Sequence, residues 1–328
     1  MRERPRSPND ERMRAFLTRL KPLCFFVVLT FMAWGLWALR VELGEALSTA
    51  NHFLLLGAAS LAAIYLVLNA SVWGVILGLV GIKVNRWRAA RLWIECESMR
   101  WLPGGIWGYA SRVVEAKQVG ATKGPAALSL AIELAITVAA WGTLGLVGTL
   151  FSPQLRAVGS VYLERFEIPP AGFFLVVAIA ISAAALILLL NILSVRTKLI
   201  SAFQKIFRGP LQWRVTMRAY TEYLLLSLFY GVGFLMSLQA IGVDPLPSLL
   251  DATGSYGFAW IVGFLAFGAP GGMGVREGVL YLVFEPLGIG PEVATAAILW
   301  RAIQIAVELL LLAAIKIFFP KKPEVSQS

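Results

Sequence analysis

Apolar residues in this chain collect into long runs separated by short polar segments. Residues 23–39, 53–80, 126–150, 173–193, 220–241 and 291–319 are each dominated by aliphatic and aromatic side chains. Their lengths lie near the roughly 20 residues that a helix needs to cross a hydrocarbon core. The pattern predicts six full transmembrane helices. Two further stretches are apolar but broken. Residues 92–117 contain Trp101-Leu102-Pro103-Gly104-Gly105-Ile106-Trp107-Gly108, followed by Arg112 and Glu115. Residues 254–287 contain Gly268-Ala269-Pro270-Gly271-Gly272-Met273-Gly274-Val275-Arg276-Glu277-Gly278 between apolar runs at 256–267 and 279–284. Each is expected to enter the membrane and return as a helical hairpin. The alternatives are an amphipathic surface segment for the first and two full crossings for the second.

Charge sets the orientation. Seven Lys/Arg precede the first span, eight lie from Lys83 to Lys123, six from Arg196 to Arg218, and three from Lys316 to Lys322. With re-entrant hairpins, 24 of the 29 therefore fall on the cytoplasmic side or on the hairpin that opens to it. Cytoplasmic segments carry this excess, so both termini are expected in the cytoplasm of a plasma (inner) membrane protein. The connections near Glu42 and His52, at 151–170 and at 242–247 are expected outside as loops, while 195–218 reads as a cytoplasmic loop. The first apolar run follows a long basic segment without a small-residue cleavage site. It reads as an uncleaved helix rather than a signal peptide.

The two Pro-Gly-Gly triplets lie 167 residues apart. Each has two spans before it and one after, and a glycine and an arginine follow it (Gly108 and Arg112, Gly274 and Arg276). Three crossings per half turn the second half upside down, the construction of transporters with inverted repeats. The domain boundaries that follow are a basic tail at 1–22, a membrane domain at 23–319 with halves at 23–150 and 171–319, and a tail at 320–328. The fold class is an all-α polytopic membrane protein.

Composition agrees. Hydrophobic residues make up 58% of the chain and charged residues 15%, against about a quarter charged in soluble domains. No polar segment is long enough for a soluble catalytic domain. The net charge of +10 comes from the short loops and points to anionic lipid surfaces, not nucleic acid. Two cysteines and one histidine leave no material for a disulfide framework, a zinc site or a Ser-His-Asp triad. No cofactor or metal is expected.

Charges within apolar stretches need a physical reason, because an arginine at mid-membrane costs about 2.5–3.5 kcal/mol on insertion scales. The candidates are Arg112, Glu133, Arg276, Glu277, Arg301 and Glu308. Arg301, Gln304 and Glu308 share one helix face by their spacing. A half-helix starting near Gly272 would aim free N–H groups and a positive dipole end at the place where Arg276 sits. An anion, such as a phosphate, satisfies all three, and glycines let backbone approach it. The head-group candidates are Gly271, Gly272, Gly274, Arg276, Glu277, Arg301, Gln304, Glu308 and Arg112. The structural alternative is that Glu277, Glu308 and Glu133 neutralise the arginines as ion pairs.

The run from Pro270 to Gly278, with Leu102-Pro103-Gly104-Gly105 and Arg301, resembles the flippase-like membrane domain of the lysylphosphatidylglycerol synthase family over residues 23–319. By that resemblance Pro270, Gly271, Gly272, Gly274, Arg276, Glu277 and Arg301 match motif positions. Trp107 and Tyr109 depart from the first-half motif. The resemblance implies movement of a lipid between leaflets. Its partner is expected to be an anionic phospholipid or polyprenyl-phosphate-linked lipid, with a cell-envelope biosynthetic enzyme as a second partner. The polar tail ending at Ser328 leads us to expect a stand-alone membrane domain without the synthase domain. A translocase is thus the expected function. The competing readings are a membrane enzyme of lipid or glycolipid modification, for which no acid, base or nucleophile arrangement is legible, and a non-transporting scaffold.

Overall fold

The computed structural model describes residues 40–101, 107–165, 210–266 and 272–318. The expected spans at 23–39 and 173–193, both Pro-Gly-Gly triplets up to Gly271, and most of the basic loop at 195–218 lie outside them. All regular structure among the described residues is helical: α1 (Arg40–Thr49), α2 (His52–Leu79), α3 (Arg86–Glu97), α4 (Trp107–Val114), α5 (Lys123–Phe151), α6 (Pro153–Arg165), α7 (Pro210–Ala240), α8 (Leu249–Leu265), α9 (Val275–Phe284) and α10 (Gly290–Phe318). Four are long and apolar enough to cross a membrane: α2, α5, the part of α7 from Trp213, and α10. Helix α7 is the central one, packed on α2, α5, α8 and α10.

Three expectations change at the polar connections. The segment after residue 39 and the segment after Phe151, both read as loops, form α1 and α6. The central span starts at Pro210 rather than near Tyr220, so Arg214 and Arg218 are helical. Neither α1 nor α6 has an apolar run that announces it. The start of α7 is supported by Arg218, whose Nε lies 2.8 Å from Glu222 one turn on, and Arg86 of α3 reaches the same carboxylate at 3.2 Å.

The ends of the helices are fixed by local chemistry. Asn51 caps α2 by accepting from the N–H groups of Phe53 and Leu54, at 3.0 and 3.3 Å. Its own N–H donates to the Ala240 carbonyl at 2.8 Å, which ties the start of α2 to the end of α7. Asp251 and Ser248 cap α8 reciprocally, and Ser152 at the end of α5 donates to the other oxygen of Asp251.

Two pairs of short helices sit among the long ones. At 1.5 Å per residue, α3 and α4 measure about 18 and 12 Å, and α8 and α9 about 25 and 15 Å. Each falls short of the roughly 30 Å hydrocarbon core. The pair α8/α9 opens beside the end of α5: Asp251 binds Ser152, and the 3-10 turn Glu285–Leu287 after α9 packs on α6. The pair α3/α4 opens at the other end of α5. There Trp73 near the end of α2 donates to Ser129 near the start of α5 at 3.1 Å, and the chain passes from α4 into α5 through the turn Ala116–Val119. The two pairs therefore face opposite ways along α5.

Helix α8 lies almost backbone to backbone on α5. A Cβ added to Gly148 would stand 2.8 Å from the Gly254 Cα, and one on Gly257 would stand 2.8 Å from the Trp141 carbonyl oxygen. Small residues at such crossings replace side-chain packing by direct backbone contact. Gly254→Val is accordingly expected to destabilise the protein by about 1–3 kcal/mol or more through overpacking. Gly159→Ala, where a Cβ meets nothing within 4 Å, is expected not to. Thermal unfolding of the two purified variants in detergent checks the difference.

Candidate functional site

The break before α9 is enforced by glycine backbone. Gly272 and Gly274 have φ of 74° and 79°, values in the left-handed region that a right-handed helix cannot contain. The half-helix consequently starts at Val275, three residues later than Gly272, and Arg276 falls in its first turn. Glu277 secures this start. Its Oε2 accepts from the Gly274 N–H at 2.8 Å, and its Oε1 lies 3.3 Å from the Arg301 Nε on α10. One buried carboxylate thus caps a helix and holds a buried guanidinium.

Arg276 is held differently. Its side chain runs through a slot between two glycines: a Cβ on Gly263 would meet the Arg276 Cγ at 2.4 Å, and one on Gly272 its Nε at 2.9 Å. The guanidinium carbon lies 5.5 Å from the ring centroid of Trp260, and Trp260 is itself stacked between Trp141 and Phe264. No carboxylate pairs with Arg276 among the described residues, and its buried Nε has no hydrogen-bond acceptor. Arg301 is close enough to repel it, and Glu277 close enough to attract it without pairing with it. A cation–π contact supplies about 0.5–2 kcal/mol, less than the cost of an arginine at membrane depth. The stack orients Arg276 without neutralising it.

Beside the two arginines lies a network of hydroxyls. Tyr230 of α7 donates to the Gln304 Oε1 at 2.8 Å, and its hydroxyl is 3.0 Å from that of Tyr256 on α8. Tyr256 feels the charge of both Arg276 and Arg301. The Tyr230 ring meets Tyr65, Trp141, Tyr256 and Trp300 at 4.8–5.5 Å, so helices α2, α5, α8 and α10 all converge on it.

Arg112 lies elsewhere. It is buried, with its Nη1 2.6 Å from the Glu133 Oε2 and its Nη2 3.9 Å from Glu97. The rings of Trp73, Trp93 and Tyr109 surround the guanidinium at 5.1–5.4 Å. Trp93 donates to Glu133 at 2.9 Å, and Tyr223 donates to it at 3.4 Å. Tyr223 and Tyr230 are seven residues apart on α7, about 10 Å along the axis. The closed cluster and the open one are thus neighbouring levels of one interior.

Of the candidates read from the sequence, Gly272, Gly274, Arg276, Glu277, Arg301 and Gln304 come together. Glu308 is buried one turn beyond Gln304 on α10, Gly271 lies outside the described residues, and Arg112 belongs to the other cluster. The structural ion-pair reading holds for Arg112 with Glu133 and for Arg301 with Glu277, and leaves Arg276 over.

The family model for the lysylphosphatidylglycerol synthase TM region matches residues 20–311. The chain belongs to that family. Among curated proteins, none matches the chain. Within this member of the family, the sequence reading missed Trp260, which faces Arg276, and Tyr230, Tyr256 and Trp300, whose rings meet one another beside it. A signal for two of them was present: Tyr256 and Trp260, with Phe264, recur at four-residue spacing, which puts them on one face of α8.

The closed pair yields a stability test. Arg112→Met leaves Glu133 buried and uncompensated, and is expected to cost about 3–5 kcal/mol. Adding Glu133→Gln, which removes the orphaned charge but keeps an acceptor for Trp93, is expected to recover much of that loss. Unfolding temperatures of the single and double variants check it.

Proposed function

We propose that the protein is a lipid translocase whose head-group site is centred on Arg276, with Arg301, Gln304 and the glycine-lined start of α9 around it. The observation that carries this reading is the guanidinium of Arg276: buried at its Nε, oriented by Trp260, and without a carboxylate. A membrane protein keeps such a group where something from outside neutralises it. An anionic phosphate is chemically suited, since it accepts from the guanidinium and from the exposed N–H groups at the start of α9.

The arrangement of the two short helix pairs supports the same reading. We interpret them as re-entrant hairpins entering from opposite membrane faces, in halves of an inverted repeat. Rocking of one half against the other alternates access to a site between them. Acyl chains remain in the bilayer while the head group passes. Arg112, already neutralised by Glu133, anchors the first half instead of contacting the lipid. An anionic phospholipid or a polyprenyl-phosphate-linked lipid of the plasma membrane fits this scheme.

In liposomes reconstituted with the full chain and an acyl-labelled anionic phospholipid, leaflet exchange followed by chemical quenching is expected to exceed that of protein-free vesicles. Arg276→Ala is expected to slow it by about tenfold or more, the value of one charge-assisted hydrogen bond. Unchanged exchange in that variant contradicts the site. Topology has its own check, because Leu249 and Leu287 are exposed at the two ends of the α8/α9 pair. Cysteines placed at both positions are expected to react with an impermeant reagent from the same side of the membrane.

A further inference from the structure

The outward face of α7 changes character along its length. Arg214, Arg218, Thr221, Leu225 and Phe229 recur at helical spacing and are all exposed, so they form one stripe. The stripe is cationic at the start of the helix and apolar from Leu225 onward. In a membrane-spanning helix that change marks the edge of the hydrocarbon, where arginines reach for the head groups. Helix α3 starts at the same level, because its Arg86 and the Arg218 of α7 share the Glu222 carboxylate at 3.2 and 2.8 Å. Both starts carry an exposed tryptophan, Trp87 at 65% and Trp213 at 49%. Lys83, Arg88 and Arg214 are exposed close to them in the chain and pair with no carboxylate among the described residues. Arg91 is paired with Glu95 and adds no net charge.

We infer that the starts of α3 and α7 form a surface site for anionic phospholipid head groups of the leaflet beside them, separate from the site at Arg276. Glu222 lies eight residues before Tyr230, about 12 Å along α7. The surface is therefore well removed from the hydroxyl network and on the outside of the protein. Charge complementarity selects the occupant. Glu222 is already shared by two arginines, so Lys83, Arg88 and Arg214 remain to face outward, and phosphate oxygens accept from them. The tryptophans favour lipid over a soluble acidic partner. An indole settles at the head-group boundary, its N–H on the polar side and its ring on the apolar side, and Leu225 and Phe229 continue the exposed face into hydrocarbon. An anionic surface attracts Lys and Arg, whereas a zwitterionic head group brings its own cation. Occupancy fastens the start of α3 to the leaflet, as Arg86 fastens it to α7.

The test is fluorescence quenching in phosphatidylcholine vesicles that hold the full chain. A growing share of the lipid is phosphatidylglycerol or phosphatidylcholine brominated near the glycerol end of its acyl chains. The emission of Trp87 and of Trp213 is isolated by difference from Trp87→Phe and Trp213→Phe. Brominated phosphatidylglycerol is expected to associate at both positions about fivefold or more tightly than brominated phosphatidylcholine, the effect of one basic residue at an anionic surface. Replacing Lys83, Arg88 and Arg214 together by glutamine is expected to bring the two lipids close to equal. These side chains are exposed and pair with no carboxylate among the described residues, so the unfolding temperature is expected to stay unchanged. Equal quenching by the two lipids in the unaltered chain overturns the inference, as does a preference that survives the triple variant. Quenching by neither lipid also overturns it, and leaves the patch to water or to a protein partner. Arg276→Ala separates the two sites. It is expected to keep the preference at Trp87 and Trp213, and loss of the preference there assigns it to the lipid at Arg276 and overturns the surface site. Leaflet exchange is not read in this experiment, so failure of the translocase leaves the surface site standing.

Discussion

A helix broken inside an apolar protein leaves backbone N–H groups and charges that only the same chain or a bound molecule can satisfy. Much of the interior answers that constraint. At the start of α9, Glu277 takes the Gly274 N–H and the Arg301 guanidinium together. At the level of Tyr223, Glu133 takes Arg112 along with Trp93 and Tyr223. Several buried atoms stay without hydrogen-bond partners, the Nε of Arg112 and of Arg276 among them, and Arg276 differs from Arg112 in having no carboxylate paired with it among the described residues. Gly263 and Gly272 clear the slot for its stem, and the Trp260 ring faces its guanidinium.

The asymmetry between the two arginines has a physical meaning. Arg112 is enclosed by three aromatic rings and two carboxylates, and removing a partner there strands a charge. Arg276 has one aromatic face and a like charge nearby. The same residue type, on the short second helix of each pair, does two jobs. One locks α4 to α5; the other confronts α8 and α10 with an unmet charge.

The long helices were legible in the sequence because they rest on length and hydropathy alone. The runs at 53–80, 126–150 and 291–319 correspond to α2, α5 and α10 within three residues at each end. The helices α1 and α6 were not legible, since their polar sequences carry no apolar period that separates them from loops. In the site, the spacing of Arg301 and Gln304 and the first-turn position of Arg276 followed from helix geometry. The choice of partners did not. Nothing in spacing says that Glu133 meets Arg112 from across α4 and α5 while Glu277 turns from its neighbour Arg276 to Arg301. That choice depends on how α9 and α10 pack. Tyr230 was hidden for the same reason, its role arising only where four other helices meet it.

The central claim is that Arg276, half-buried with its Nε enclosed, is a cation that no carboxylate of the described residues pairs with, and the stability of the lipid-free protein reads this directly. The measurement is the thermal unfolding of Arg276→Met in a neutral detergent, with methionine filling the glycine slot without the charge. The account predicts an unfolding temperature equal to or above that of the unaltered protein, because an uncompensated charge is removed. A clear drop in unfolding temperature, of the size that follows loss of a paired buried arginine, contradicts it.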